Sequence, residues 1–291
     1  MIALLGPNSF RGVLTAPKAN GISPLIRGKI NIGGDDVRCY IKPQPDEIMC
    51  PSKKAFVDNM EIVNEALGFV LAKSFGFYTP DIAGIIILNR EQIPRETVEQ
   101  VDRVSSKKQD RFICWFSKDM NYPNLSQSRI ENVNFKPLEN LLIKRLADDL
   151  KRHDDTINII AFDDWLLNSD RHLGNLLDGP ANSIFLIDHG RILNYPNWSA
   201  SEIFSLPPKT VNRLENFIEN FHSGWKNQLP NKSKRQMAIS RFKLLFEESG
   251  KKAAREVLSE FVNDEDVEVV VKYLESRLDP VAYAKASGLL I

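Results

Sequence analysis

Three polar residues carry the first chemical signal in the sequence: Asp170, Asn175 and Asp188. Asp170 ends an apolar, helix-like run, and Asn175 stands five residues later, across Gly174. Asp188 closes Ser183–Ile187, an apolar and partly β-branched run that reads as a buried strand. The glycine lets the backbone turn between the first two. A carboxylate, a loop amide and a second carboxylate after a short strand are the parts of a phosphoryl-transfer site. One carboxylate takes or orients the proton of an attacking hydroxyl, while the amide oxygen and the other carboxylate hold Mg²⁺ on nucleotide phosphates. Mg²⁺ favours a few hard oxygen ligands together with water and phosphate. The same residue types also serve as plain helix caps and turn formers, so the surroundings must decide.

A second group lies nearer the start of the chain. Val37–Lys42 alternates like a half-buried strand, and Gly33-Gly34-Asp35-Asp36 before it marks a hairpin turn. A lysine at the end of such a strand can lie against a sheet with its ammonium in a cleft, where it would neutralise phosphate charge. Lys42 is that residue; the plain alternative is an exposed strand-end lysine. Lys53–Phe75 carries apolar residues at helical spacing (Phe56, Met60, Val63, Leu67, Val70, Leu71, Phe75), with Gly76 as its C-terminal stop. Glu65 sits beside that stripe and can reach Lys42, and Glu61, one turn earlier, is its rival. Met1 to about Gln44 reads as strands and turns, and within it Gly21 and Ser23 lie in a turn over 19–26 that runs into a strand; it can cover phosphates with backbone N–H groups, with a plain turn as the alternative.

Several elements must position these residues. Asp81–Leu88 and Arg111–Phe116 read as strands, and Pro94–Val104 as a short polar helix. The second strand falls where two lobes would join, so Trp115 and Phe116 are candidates to contact an adenine, with core packing the alternative. From about residue 117 the composition turns helical. This places the boundary between a β-rich N-lobe over 1–117 and a mainly helical C-lobe over 118–291. Pro137–His153 and Ile157–Leu167 are the helices that lead into the loop, and Asp163 and Asp164 within the second suit pairing or loop support. Arg191–Pro208 is loop-like. Val211–Phe221, Lys234–Glu248, Ala253–Val262 and Val267–Leu278 each carry an apolar face, with Ser249-Gly250 as a break.

Asn168-Ser169-Asp170-Arg171-His172-Leu173-Gly174-Asn175, followed by Ile187-Asp188-His189-Gly190, resembles the catalytic segment of the HipA-like kinases. The likeness is to their shorter branch, in which DHG stands where protein kinases carry DFG. The Lys42, Asn64-Glu65 and Leu71–Pro80 order is similar to the N-lobe of that family, and phosphatidylinositol 3/4-kinases share the D-R-H-x-x-N pattern. The resemblance covers residues 21 to about 193. It implies an α+β, bilobal, protein-kinase-like fold and transfer of the ATP γ-phosphoryl group to a serine or threonine of a protein. The implied roles are Asp170 as base or orienter, Asn175 and Asp188 as Mg²⁺ ligands, and Lys42 as phosphate clamp supported by Glu65. Gly21 and Ser23 fall in the phosphate-covering loop, with Ser23 as a site of self-phosphorylation, where a phosphate would repel those of ATP. His172 is expected to orient the loop, and Arg171 to pair with an acidic neighbour or with phosphate. His189 in place of Phe argues against transferring a DFG-type flip. Many HipA-like toxins have a helix-turn-helix repressor as antitoxin, so the resemblance also admits an antitoxin-like partner.

Composition bounds the alternatives. Lys+Arg 38 against Asp+Glu 38 leaves no net charge, which disfavours wholesale nucleic-acid binding through a basic surface. Cys39, Cys50 and Cys114 have no metal spacing and suit a reducing compartment. The start lacks a basic, apolar leader, and no apolar run approaches the ~20 residues of a membrane span, so a cytoplasmic protein is expected. Two other classes stay open. One is a phosphoinositide or small-molecule kinase, ranked lower because Arg191–Pro208 holds just one basic residue. The other is a nucleotide-binding pseudokinase, whose usual sign, loss of a metal ligand or of the lysine, is missing here.

Overall fold

The computed structural model describes residues 2–15, 24–131 and 133–289. Its N-terminal part holds strands β1 (Ala3–Leu5), β2 (Phe10–Leu14), β3 (Ile26–Ile32), β4 (Asp35–Gln44), β5 (Glu47–Cys50) and β6 (Ala55–Asp58). Helix α1 (Glu61–Ser74), strand β7 (Ala83–Asn89), helix α2 (Arg95–Val104) and strand β8 (Arg111–Lys118) follow. Six strands form one sheet in the order β1-β7-β8-β4-β3-β2, antiparallel except where β1 runs parallel to β7. A two-residue turn at Gly33-Gly34, both with positive φ (64° and 100°), joins β3 to β4. Such turns match the twist of the strands and require residues that tolerate positive φ.

Strand alternation gives the sheet two different faces. Ile41, Cys39, Phe112, Cys114 and Phe116 are buried together with Val98 and Val101 of α2 on one side. On the other side Trp115 packs edge-on against Phe69 of α1 (ring centroids 5.8 Å), and Lys42, paired with Trp115 in register, points the same way.

The C-terminal part is mainly helical: α3 (Leu125–Arg129), α4 (Lys136–Arg152), α5 (Thr156–Leu166), a hairpin of β9 (Leu176–Asp178) and β10 (Ile184–Leu186), then α6 (Arg213–Phe221), α7 (Leu229–Leu245), α8 (Lys251–Leu258), α9 (Asp264–Ser276) and α10 (Pro280–Ala286). The architecture is a bilobal α+β fold with a β-rich N-lobe and a helical C-lobe. Among the described residues no helix is long and apolar enough to cross a membrane.

Two expectations about boundaries are corrected. The helix expected from Lys53 begins only at Glu61; Lys53–Asp58 belongs to the β5–β6 hairpin, and Phe56 lies half-exposed on β6. Asn59 sets the start, its Oδ1 accepting the Glu61 N–H (3.1 Å). The break expected at Ser249-Gly250 is instead a π-helical turn over Phe246–Gly250 that carries α7 into α8. Gly250 is there for contact, since a Cβ would lie 2.8 Å from the Phe75 ring. The other end of α1 closes as expected: Phe77 N–H bonds Ala72 O (3.0 Å), Gly76 N–H bonds Lys73 O (3.2 Å), and Gly76 takes φ 80°.

Candidate active site

Lys42 lies between two carboxylates. Its Nζ is 2.7 Å from Glu65 Oε1 of α1 and 2.8 Å from Asp188 Oδ1. The other oxygen of Glu65 accepts the His189 N–H (2.7 Å), so one buried glutamate fixes both the lysine and the residue after Asp188. Glu61 does not take this role; it faces Gln44, Tyr195 and Gly190. Electrostatics follow from the crowding. Burial pushes the Glu65 carboxyl up to about 7, against the pull of the Lys42 ammonium. For Asp188 burial acts in the same upward direction, but Lys42 and then Arg171 outweigh it and hold the carboxyl down at about 2. Lys42 itself is raised, because its two carboxylates exceed the cost of burial.

Arg171 is the hub that joins the loop to the strand end. It is fully buried, and its Nε donates to Asp163 Oδ2 (3.2 Å) of α5. Nη1 donates to the carbonyls of Asn175 (3.3 Å) and Ile187, and Nη2 contacts His189 Nδ1 at 3.1 Å. Ile187 N–H also bonds Asn175 O (3.3 Å). Asp163 accepts from Asn168 Nδ2 (2.9 Å), whose Oδ1 in turn accepts the Asp170 N–H (3.0 Å). A buried guanidinium thus satisfies carbonyls that no helix or sheet partners, which is why burying a charge is tolerable here. Leu167 and Asp188 have left-handed backbones (φ 55° and 61°), a strain that side chains other than glycine seldom carry and that collects at functional sites.

Asn175 donates its Nδ2 to Asp170 O (2.9 Å), leaving Oδ1 as its free acceptor, while Asp188 keeps Oδ2 beside the oxygen used by Lys42. Those hard oxygens suit Mg²⁺. Among the described residues no three His, Cys, Asp or Glu side chains converge as a metal-binding group; an Asn/Asp pair by itself would need phosphate and water to fill a Mg²⁺ shell. The Asp170 carboxylate is partly exposed and meets a residue that sequence reasoning missed: Arg213 Nη1 lies 3.0 Å from its Oδ1. His172 is exposed and its Nδ1 accepts the Gly174 N–H (3.0 Å), a loop-shaping contact.

Other expected residues fall differently. Phe116 is fully buried on the α2 side of the sheet and Trp115 is 5% exposed against α1. Both side chains belong to the core, Phe116 in the cluster under α2 and Trp115 in the cluster around α1, so the expectation that they contact an adenine gives way to its core-packing alternative. Gly21 and Ser23 lie outside the described residues. Asn64, fully buried on α1 beside Glu65, is a further residue of the site. It donates to Gly190 O (3.0 Å) and Ile192 O (2.9 Å) and accepts from Trp198 Nε1 (2.8 Å), holding the chain just beyond Asp188. A polar residue inside an apolar helical run was its visible signal.

No protein-family model matches the chain, and no curated protein matches it. Solved structures do. A MAP kinase from Leishmania major aligns with 96% of this chain and 81% of its own, at 11% identity and a TM-score of 0.28. So distant a likeness adds nothing to the site. The kinase-like bilobal α+β fold rests on the elements themselves: a mixed sheet carrying Lys42, one helix carrying Glu65, and a helical lobe carrying the loop and Asp188.

Proposed function

We propose that the protein is an ATP- and Mg²⁺-dependent phosphotransferase, a HipA-like kinase that moves the γ-phosphoryl group to a serine or threonine hydroxyl of a protein. The observation that carries this reading is the single ammonium of Lys42 shared by Glu65 and Asp188. Glu65 also accepts the His189 N–H, so one glutamate holds both the lysine and the segment of Asp188, as a phosphate clamp set beside a metal-binding carboxylate requires.

The donor nucleotide with its Mg²⁺ supplies the phosphoryl group and a counter-charge to it. Lys42, steered by Glu65, would face the phosphates, and Asn175 Oδ1 with the Asp188 carboxylate would hold the metal. Asp170 accepts or orients the proton of the acceptor hydroxyl. The acceptor oxygen bonds to the γ-phosphorus as the bond to the β–γ bridging oxygen breaks, and the proton leaves through Asp170 to solvent. Arg171 touches none of the reacting atoms; it keeps the loop and the Asp188 strand end in register.

Incubation with γ-labelled ATP and Mg²⁺ tests this. Label is expected on the protein or on a lysate target with the wild type. Asp170→Ala should lower it at least ~10²-fold, and Asp188→Asn should abolish it together with Mg²⁺-dependent nucleotide affinity. Tight nucleotide binding without label would identify a pseudokinase, and no nucleotide binding would overturn the reading. Intact-mass measurement with ATP present would show whether Ser23 takes up phosphate.

A further inference from the structure

Asp170 is partnered by a side chain from far along the chain. Arg213 opens α6, and its position is set by the residue before it. Asn212, almost fully buried, donates to Asp164 Oδ1 (3.0 Å) and Ile160 O (3.1 Å) of α5, and its Oδ1 caps α6 by accepting the Glu215 N–H (3.0 Å). Because α5 also leads into the loop of Asp170, Asn212 locks the start of α6 to the segment that carries the candidate base. Arg213 then reaches Asp170 Oδ1 at 3.0 Å while its side chain stays 54% exposed. One carboxylate oxygen is thereby occupied and the other left open, and most of the guanidinium's donors face solvent beside it.

The segment leading there has a matching charge. Between Gly190 and Arg213 the basic residues are Arg191, Lys209 and Arg213, and the acidic one is Glu202. Glu202 is turned to Lys53 (3.9 Å). Arg191 lies over the Tyr195 ring (3.9 Å to the centroid), and Tyr195 is flanked by Glu61 and Asp170. Arg213 therefore stands at Asp170 with much of its guanidinium exposed, and a second guanidinium, Arg191, lies on Tyr195 near Glu61. An exposed arginine paired to a carboxylate at a site where a hydroxyl must enter is best used by an acceptor that brings its own anion.

We propose that Arg213 is a specificity-determining residue and that the acceptor is a serine or threonine in an acidic peptide segment, its carboxylates read by Arg213 with Arg191 in support. This rests on the phosphotransferase reading above. The favoured acceptor would sit with its hydroxyl at the open oxygen of Asp170 and an acidic side chain on the guanidinium.

The test measures binding by fluorescence anisotropy, with Mg²⁺ and a non-hydrolysable ATP analogue present. Two labelled serine peptides are compared, one flanked by glutamates and one by lysines, on wild type, Arg213→Gln and Arg213→Glu. The wild type should favour the glutamate peptide by about tenfold or more at low salt, where charge complementarity is least screened. Arg213→Gln should erase most of that preference and Arg213→Glu should reverse it, with affinity for the nucleotide analogue unchanged in both. Nucleotide binding with no peptide preference in the wild type, or a preference that survives Arg213→Glu, would overturn the inference and leave the phosphotransferase reading standing. Capture by phosphoinositide vesicles with neither peptide bound would also overturn it. Failure of the wild type to bind the nucleotide analogue would overturn both.

Discussion

His189 is neutral in the fold and stays so well below the usual histidine range, first because it is buried and second because the Arg171 cation lies against it. The unfolded chain takes up a proton near pH 6.5 that the folded chain refuses, so this group's contribution to stability is present above about 6.5 and is lost as pH falls below it. His189→Phe should therefore lessen the drop in Tm between pH 7.5 and 5.5, even though it lowers Tm at pH 7.5 by removing the acceptor for Arg171; paired thermal melts check this. Arg171 invites a harsher change. Arg171→Met would leave Asp163 charged and buried without its partner, and such a loss costs about 3–5 kcal/mol. Urea unfolding should show it. Lys42, Glu65, Asp170, Asn175 and Asp188 stand at or inside patterned runs, but their residue types alone leave plain caps, turns and solvated charges open; the resemblance to HipA-like kinases is what singles them out. Arg213 is not singled out in that way, because its role depends on where Asn212 pins the start of α6, and no local pattern records that.

Helix α1 approaches the strand end so closely that one glycine has no room to grow. A Cβ on Gly68 would lie 2.3 Å from the Cβ of His189. In an open helix Gly→Ala gains up to about 1 kcal/mol; here overpacking, worth about 1–3 kcal/mol, should reverse the sign. Gly68→Ala is expected to lower the urea midpoint and to weaken nucleotide binding by displacing Glu65 from Lys42. A raised midpoint would show that His189 can move aside at no cost. Helix periodicity announced α1 clearly but misplaced its start, because Phe56 happens to continue the spacing while its backbone pairs in the β5–β6 hairpin. The same reasoning took Gly250 for a break, although the glycine is helical (φ −63°) and selected by the ring it touches. Periodicity reports which face is apolar, and it is silent on what lies against that face.

Across the molecule, Asp164 ties the helix before the loop to the C-terminal helices. Its Oδ2 receives Arg235 of α7 and the Tyr283 hydroxyl of α10 (2.9 Å), and Arg235 also pairs with Glu215 of α6 (2.5 Å). All three charged groups are buried. Arg235→Met would take the shared cation from two buried carboxylates, leaving Asp164 only neutral donors and Glu215 the more distant Lys226, and should destabilise the protein by about 3–5 kcal/mol; replacing only the exposed Lys252, which pairs with Glu256 at 3.7 Å, should change stability by less than about 0.5 kcal/mol. Comparing the two by chemical unfolding separates a core network from a surface pair. The two-lobe outline was legible because strand-like and helix-like patterns are segregated along the chain. The network was not: Asp164 is suited to pairing but its partner is not readable, and Glu215 and Arg235 look like ordinary helix charges until the helices pack.

The aromatic end of α1 has one more implication. Phe75 stacks on Trp165 (5.1 Å, 7°) and meets Phe242, and Phe77 lies beside Phe162 and Phe242, so the helix that carries Glu65 is seated among the helices below, while Lys42 rides on the sheet above. A cleft that opened by tilting the sheet away from those helices would leave α1 behind. The Lys42–Glu65 pair spans the parting surfaces and would separate in the same movement. If the protein works as the proposed phosphotransferase, letting a nucleotide go and disarming the lysine would then be one event, with the hinge itself serving as the switch.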